Sequence, residues 1–240
     1  MNNLKLMLRI LTLSAFAGAV LAVFTVFPVT SSAQDDRFDR IDKGKIAVTG
    51  KKTSDFVPAG WKIEEEINGD LNGDGSFDRV LTIAQEKAGG DKMPARALIV
   101  LLAQANGDWK NVAVADRLLN CVGCGNAMEE INVTIKKGVL DVNQNWGNSG
   151  SSMGKSDYKF RLESASGRFR LIGADFTETM MPDKIYSESN NYLTGDRKTA
   201  KGKLSSDKDK TTRTKFSPEK LYLDDFNNNK LEEAAFTRLG

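Results

Sequence analysis

The chain has 240 residues, with 34 lysines and arginines, 32 aspartates and glutamates, two cysteines and no histidine. The absence of histidine excludes Ser-His and Cys-His nucleophile pairs, histidine general bases and histidine zinc ligands. The near balance of charge disfavours non-specific nucleic-acid binding, which needs a basic surface.

The chain begins with a pattern that is typical of a secretory signal peptide. Lys5 and Arg9 precede an uncharged apolar run over residues 10–29, and the small residues Ser31 and Ala33 form a cleavage site. We expect cleavage after Ala33, which would give an exported, periplasmic or extracellular protein without a membrane contact. Because about 20 apolar residues can also span a bilayer, an uncleaved anchor is the alternative.

The rest of the chain is long enough for one domain with its own core. Removal of residues 1–33 leaves 207 residues, in which acidic and basic side chains are equal in number. We expect residues 34–54 to form a flexible N-terminal segment and residues 55–240 to form a single β-rich domain.

Apolar and polar residues alternate through most of this domain, in short segments that end at turn signals. In the first segment, Trp61, Ile63 and Ile67 are predicted to share one face of a strand. Further strands are predicted at residues 80–84, 97–103, 109–114, 131–135, 139–142, 158–162 and 169–172. Consecutive hairpins of this kind predict a mainly β fold, an antiparallel meander arranged as a sandwich, a barrel or a partial propeller, with little helix.

Other segments interrupt this pattern. Residues 145–155 are rich in glycine and serine and predict a loop or a ligand lid. Residues 199–214 have almost no apolar content, which predicts an exposed hairpin tip or a linker. Residues 221–226 predict a last strand that returns to the core, and helix signals are confined to residues 117–119 and 231–236.

The clearest binding motif is the segment of residues 70–78, in which oxygen-bearing side chains recur at every second position around a glycine turn. Ca²⁺ binds about six to eight oxygens, and a loop with this spacing directs positions 1, 3, 5 and 9 inward, while position 7 supplies a backbone carbonyl. The predicted calcium ligands are therefore Asp70, Asn72, Asp74, Ser76 and Asp78.

This motif resembles the calcium loop of FG-GAP and VCBS-type repeats, which occur in integrin β-propellers and in many secreted bacterial proteins. The resemblance implies that the same five residues bind Ca²⁺. A looser similarity, which includes Trp61 and the Cys121-x-x-Cys124 motif, is to uncharacterised exported bacterial proteins. A weaker copy of the calcium motif over residues 225–233 predicts an asparagine-rich turn, with a second ion site as the alternative.

The two cysteines, Cys121 and Cys124, are separated by two residues. In an oxidising compartment two cysteines usually form a disulfide, and we expect one here. A redox function would need this motif at the start of a helix that follows a strand, and that pattern is absent from the sequence. A metal or cofactor role is the third interpretation.

Two classes of function follow from these features. The first is an exported β-rich module that is stabilised by Ca²⁺ and binds an unidentified extracellular or periplasmic partner, or serves a structural role, without catalysis. The second is an enzyme without histidine, either a glycan hydrolase that uses carboxylates of Glu64, Glu65 and Glu66 or an oxidoreductase that uses the two cysteines. We expect the first, because an acidic run in an alternating strand is usually a solvated face.

Overall fold

The computed structural model describes residues 39–124, 129–148 and 151–239, except the side chains of Asn148, Asp207 and Leu239. The predicted signal peptide, residues 1–33, lies outside this part of the chain. The described chain is mainly β, with two antiparallel sheets and one α-helix, which confirms the predicted fold class. None of the helices within these residues is long and apolar enough to cross a membrane.

Sheet A has five strands in the order β1-β5-β4-β3-β2. Their bounds are Thr49–Gly50 for β1, Trp61–Gly69 for β2, Asp78–Gln85 for β3, Arg96–Ala103 for β4 and Trp109–Ala115 for β5. The central strands β3 and β4 are buried on both faces. Their sequences are therefore nearly continuous apolar runs rather than alternating ones.

Sheet B is a seven-stranded meander in which every strand pairs with its neighbours in the chain. Its strands are β6 (Glu130–Lys136), β7 (Val139–Asn148), β8 (Ser152–Glu163), β9 (Arg168–Met180), β10 (Lys184–Asn191), β11 (Asp196–Lys203) and β12 (Ser206–Lys215). Residues 199–214, predicted as a hairpin tip or a linker, lie in the β11–β12 hairpin.

Sheet A lies between two apolar cores. The larger core joins side chains such as Leu98 of sheet A to Leu140 and Phe160 of sheet B. The smaller core covers the opposite face of sheet A and includes Ile41 and Ile46. Residues 39–54, which we expected to belong to a flexible segment, thus include buried side chains, and β1 pairs with β5.

A β-bulge in β2 overturns the expectation that Trp61, Ile63 and Ile67 share one face. The register with β3 shifts between Ile63 and Glu65. One extra residue reverses the faces of all the residues that follow it. Trp61 and Ile63 consequently pack against the smaller core, whereas Ile67 packs against the larger one.

The prediction of a loop or lid at residues 145–155 is wrong, because β7 and β8 continue through most of this segment. Trp146 pairs with Gly154 across the two strands. A Cβ atom at Gly154 would lie 2.1 Å from the Trp146 ring, so the glycine makes room for the indole. The ring also makes an edge contact with Phe236, with 6.0 Å between centroids. Glycine at this position therefore serves packing within a strand.

The C-terminal segment ends in helix α1 (Asn228–Leu239), which confirms the helix predicted at residues 231–236 and extends it to about three turns. Residues 117–119 form bends rather than a helix. The strand predicted at residues 221–226 is also wrong. Tyr222 forms one isolated bridge to Arg170, and a 3-10 turn follows at Leu223–Asp225. This turn buries Leu223 and Phe226 in the core without a ladder.

Candidate functional site

The predicted calcium loop joins β2 to β3 at one end of sheet A. Gly69 and Asp78 form the last pair of the ladder between these strands. Leu71 is buried in the larger core, whereas residues 72–77 are exposed. The loop is therefore anchored at both ends, and its middle faces solvent.

Asp70, at the first position of the motif, holds the turn through its carboxylate. The backbone N–H of Gly73 donates to Asp70 Oδ1 at 2.6 Å, and that of Gly75 donates to Asp70 Oδ2 at 3.0 Å. Both glycines have positive φ, +81° and +84°, a conformation that glycine adopts without steric cost. The curled shape of the loop follows from these two glycines and one carboxylate.

The next two alternating residues continue this pattern. The Asp74 N–H donates to Asn72 Oδ1 at 3.0 Å, and the Ser76 N–H donates to Asp74 Oδ1 at 2.7 Å. The Asn72 amide also donates to Asp74 Oδ2 at 2.8 Å. The hydrogen bond from the Ser76 N–H, followed by that from the Asn72 amide, lowers the pKa of Asp74. Asp74 is therefore held in its charged form.

Asp78, at the ninth position, has a different environment. Its side chain is fully buried, and its two oxygens accept hydrogen bonds from Leu71 N at 2.8 Å and from Ala103 N at 3.0 Å. Burial raises the pKa of Asp78, and the nearby charges of Asp74 and Asp70 raise it further. Asp78 thus ties the base of the loop to the end of β4.

The oxygens of this loop fit a hard cation in chemical type. Each hydrogen-bonded oxygen of Asp70, Asn72 and Asp74 keeps a lone pair, and Ser76 can offer its carbonyl. Both oxygens of Asp78 are engaged by backbone N–H groups, so its role as a ligand stays a prediction. Within the residues described, no group of three or more histidine, cysteine, aspartate or glutamate side chains is arranged to hold a metal ion.

The acidic run in β2 is engaged in contacts with its neighbours. Glu64 Oε2 accepts a hydrogen bond from Arg96 Nε at 2.7 Å. Glu66 Oε1 accepts one from the Thr53 hydroxyl at 2.7 Å. Glu65, like these two residues, is exposed. The first and last of the three glutamates therefore connect β2 to β4 and to the segment before β2.

Cys121 and Cys124 lie at disulfide distance, with 5.3 Å between their Cα atoms, in the connection between β5 and β6. Arg96 Nη1 donates to the Cys121 carbonyl at 3.0 Å, and the Gly123 N–H donates to Glu129 Oε2 at 2.9 Å. Arg96 also forms an ion pair with Glu129. These contacts fix the cysteine loop against β4.

The weaker motif at residues 225–233 is partly engaged by a cation of the chain itself. Arg168 forms ion pairs with Asp225 and with Asp224, the latter at 2.6 Å. Helix α1 begins inside this segment, at Asn228. The second ion site therefore stays an untested alternative, and its first carboxylate already contacts an arginine.

Sequence analysis missed a cleft of about 570 Å³ along sheet B. It is lined by Glu129, Glu130, Asn145, Trp146, Met153, Gly154, Lys155, Thr177 and Thr179. Five of these residues lie in the segment predicted as a loop or lid. Only the position of Trp146 beside small residues hinted at a packed surface there.

A polar pair of buried Tyr158 and partly buried Glu232 connects α1 to sheet B, and the sequence did not predict it. The Tyr158 hydroxyl donates to Glu232 Oε1 at 2.7 Å. Burial raises the pKa of Glu232, and burial followed by the nearby Glu232 charge raises that of Tyr158. Neither residue stands out in sequence, because their contact spans 74 positions.

No family model, curated protein or solved structure matches this chain. The likeness to FG-GAP and VCBS repeats therefore stays a prediction from residues 70–78.

Proposed function

We propose that this chain is an exported β-rich module that binds Ca²⁺ at residues 70–78 and acts as a binding or structural protein without catalysis. The ion would serve as a structural cofactor. Export is part of the proposal because the first 33 residues read as a signal peptide and because extracellular calcium is abundant enough to fill a modest site.

One observation carries this proposal: three carboxylates lie within nine residues without a basic partner. In the described part of the chain, no lysine or arginine forms an ion pair with Asp70, Asp74 or Asp78. Like charges held this close repel one another, and a divalent cation relieves that repulsion.

The backbone of the loop adds further support. The N–H groups of Gly73, Asp74, Gly75 and Ser76 are already taken up by side chains of the same loop. The turn is therefore shaped before any ion arrives, which lowers the ordering cost of binding. Asp70, Asn72, Asp74 and the Ser76 carbonyl would hold the ion, and water would complete its shell.

The ion would act by stabilising the native state. A ligand that binds only the folded chain stabilises it by about 2.7 kcal/mol at a concentration one hundred times its Kd. For a domain of this size, that corresponds to a rise in Tm of about 5–10 °C. Partner binding would then depend on a surface other than the loop.

Thermal unfolding of residues 34–240 with calcium, with magnesium and with chelator tests this proposal. We expect millimolar calcium to raise the Tm and magnesium to do so less, because Mg²⁺ demands a tighter octahedral site. Asp74→Ala should abolish the calcium-dependent rise.

Asp108→Ala is the matched control. The Asp108 N–H donates to Asn106 Oδ1 at 3.1 Å, and the Asn106 amide donates to Asp108 Oδ2 at 2.9 Å, as in the Asn72–Asp74 pair. This turn lacks the additional carboxylates of the calcium loop. Asp108→Ala should therefore keep the full calcium-dependent rise in Tm. A wild-type protein whose Tm does not change with calcium would refute the proposal.

A further inference from the structure

One end of sheet B brings together three turns that are distant in sequence. The Met181 N–H donates to the Ser151 carbonyl at 2.9 Å, which joins the β9–β10 turn to the β7–β8 turn. The Leu204 N–H donates to the Asp183 carbonyl at 3.4 Å, which joins the β11–β12 turn to the β9–β10 turn. The turns therefore form one continuous edge across six strands, β7 to β12.

This edge carries four exposed apolar side chains, which we name the apolar tip: Met153, Met180, Met181 and Leu204. Their exposed fractions lie between 39% and 51%. They make up half of the eight large apolar side chains that are exposed in the described residues. Single exposed apolar residues are common, but several of them gathered at one end of a sheet are typical of an interaction site.

Lysines surround the apolar tip. They are Lys155, Lys184, Lys201, Lys203, Lys208 and Lys210, all of them exposed. In the part of the chain that the structure describes, none of them forms an ion pair. Acidic groups are also present: Asp183 accepts hydrogen bonds from Ser205 N and Oγ, both at 2.8 Å, and Asp209 lies against Gly202. Glu178 in β9 and Asp207 in β12 are two further acidic residues at this end of the sheet, and the Lys201 ammonium lies over the Tyr186 ring at 5.6 Å. The six lysines still outnumber these four acidic residues.

The β11–β12 hairpin places like charges opposite each other. Lys201 faces Lys210 on one side of the ribbon, and Lys198 faces Arg213 on the other. Directly opposed like charges destabilise a strand pair. An external anion would relieve this repulsion, so the hairpin is suited to an anionic partner.

We propose that the apolar tip docks on an anionic lipid bilayer, which departs from the expectation, drawn from the sequence, of a protein without a membrane contact. An anionic bilayer can bind both the apolar side chains and the lysines. Its acyl chains accept the methionine and leucine side chains, and its phosphate headgroups pair with the lysines. A second copy of the chain would bring like charges together, and a soluble polyanion would leave the apolar side chains in water. Long lysine stems can also cover apolar surface while their ammonium groups stay at the headgroups.

Cosedimentation with vesicles tests this inference, which is independent of the calcium proposal. Residues 34–240 are used because the chain from Ala33 onward is a compact unit by itself. The probes are vesicles of phosphatidylcholine alone and vesicles with about one third phosphatidylglycerol, each with chelator. We expect binding to the anionic vesicles and much weaker binding to the neutral ones.

Three variants locate the contact. Met181→Ser with Leu204→Ser should weaken binding about tenfold or more, since both apolar anchors are lost. Lys203→Gln with Lys208→Gln should weaken it about 25-fold, because each lysine near an anionic surface contributes about a factor of five. Leu193→Ser is the matched control, because Leu193 is 52% exposed in the β10–β11 turn at the opposite end of the strands. It should bind as the wild type does.

The inference is overturned if the wild type binds neither kind of vesicle. It is also overturned if the variant with Met181→Ser and Leu204→Ser binds as tightly as the wild type. Binding to soluble polyphosphate that is lost only with the lysines would identify a polyanion site instead. Self-association that depends on concentration, and that the variant with Met181→Ser and Leu204→Ser lacks, would identify a contact between copies of the chain instead. Circular dichroism of each variant should match the wild type, so that a loss of binding is not a loss of fold.

Discussion

Two pairs of neighbouring strands in this molecule share the same antiparallel geometry and differ in almost everything else. Strands β3 and β4, in the middle of sheet A, are buried on both faces. The hairpin of β11 and β12 closes one edge of sheet B, and every described residue of β12 is exposed. One pair is therefore held by apolar burial and the other by its hydrogen-bond ladder and local pairs.

This difference separates stability from recognition. Apolar burial supplies the largest favourable term in folding, so β3 and β4 carry a large share of the free energy of unfolding. A strand with two solvated faces contributes little to that free energy but presents its side chains to a partner. The two regions should consequently respond to substitution in opposite ways.

The largest expected effect is in β4. Leu98 is fully buried in the larger core. Leu98→Ala should lower the free energy of unfolding by about 3 kcal/mol, because it removes buried methyl groups and leaves a cavity. Thr212→Ala, in exposed β12, should change it by less than about 0.5 kcal/mol. Urea unfolding measures both, and equal losses would contradict the division between the regions.

The next effect concerns the base of the loop at residues 70–78, where the Asp78 carboxyl is buried beside the apolar strands. Asp78→Asn should cost about 1–3 kcal/mol, because an amide nitrogen cannot accept the N–H of Leu71 or Ala103. The measurement is urea unfolding in chelator, so that no metal contributes. Asp74→Asn, in the exposed part of the loop, should cost less. If Asp78→Asn leaves the free energy of unfolding unchanged, the hydrogen bond from Ala103 to Asp78 contributes nothing to stability.

A third prediction concerns the pair of Tyr158 and Glu232 between sheet B and α1. Burial raises the pKa of Glu232, so the native state favours its neutral form. That stabilisation is full below the ordinary pKa of 4.5 and is lost as pH rises through the raised value. Glu232→Gln keeps an oxygen for the Tyr158 hydroxyl and does not titrate.

The stability of the wild type relative to Glu232→Gln should therefore fall as the pH rises from about 4.5 through the raised pKa of Glu232. Urea unfolding at several pH values measures this difference. Glu233→Gln, one residue further along α1 and exposed, is the control and should follow the wild type. Parallel profiles for the wild type and Glu232→Gln would show that Glu232 titrates as it does in the unfolded chain.

The smallest effect is expected in the exposed hairpin. Lys210→Glu turns the like-charge pair with Lys201 into an opposite-charge pair, which should stabilise the hairpin by about 0.2–1 kcal/mol. Hydrogen exchange of the β11–β12 amides should slow by up to about fivefold at low salt. The gain should disappear near 1 M salt, where the Debye length is about 3 Å. A gain that persists in salt would not be electrostatic.

The predictability of the fold follows the same division. The strands at residues 80–84 and 97–103 were evident, because long apolar runs have few alternatives in a β-rich chain. The face on which Ile67 lies was not evident from the sequence, because a bulge depends on the pairing of β2 with β3 rather than on β2 itself. The strand ends around Gly154 were missed because a glycine that accommodates Trp146 looks like a turn residue in sequence.

The candidate sites were predictable only where they are local. The spacing from Asp70 to Asp78 is a property of nine consecutive residues, and the loop lies where sequence analysis placed it, between two strands. The tie from Asp78 to Ala103 joins residues 25 positions apart. The apolar tip depends on strand order in sheet B, which the alternation of residues leaves open, so its four members could not be grouped from sequence.

The contact of Trp146 with Gly154 and Phe236 has an optical consequence. The other two tryptophans, Trp61 and Trp109, both lie in sheet A. Within the described residues, Trp146 is thus the indole that makes a ring contact with α1, through Phe236. In a protein with phenylalanine at positions 61 and 109, the emission spectrum would report the docking of this helix on sheet B. Detachment of α1 would then shift the fluorescence to longer wavelength ahead of global unfolding.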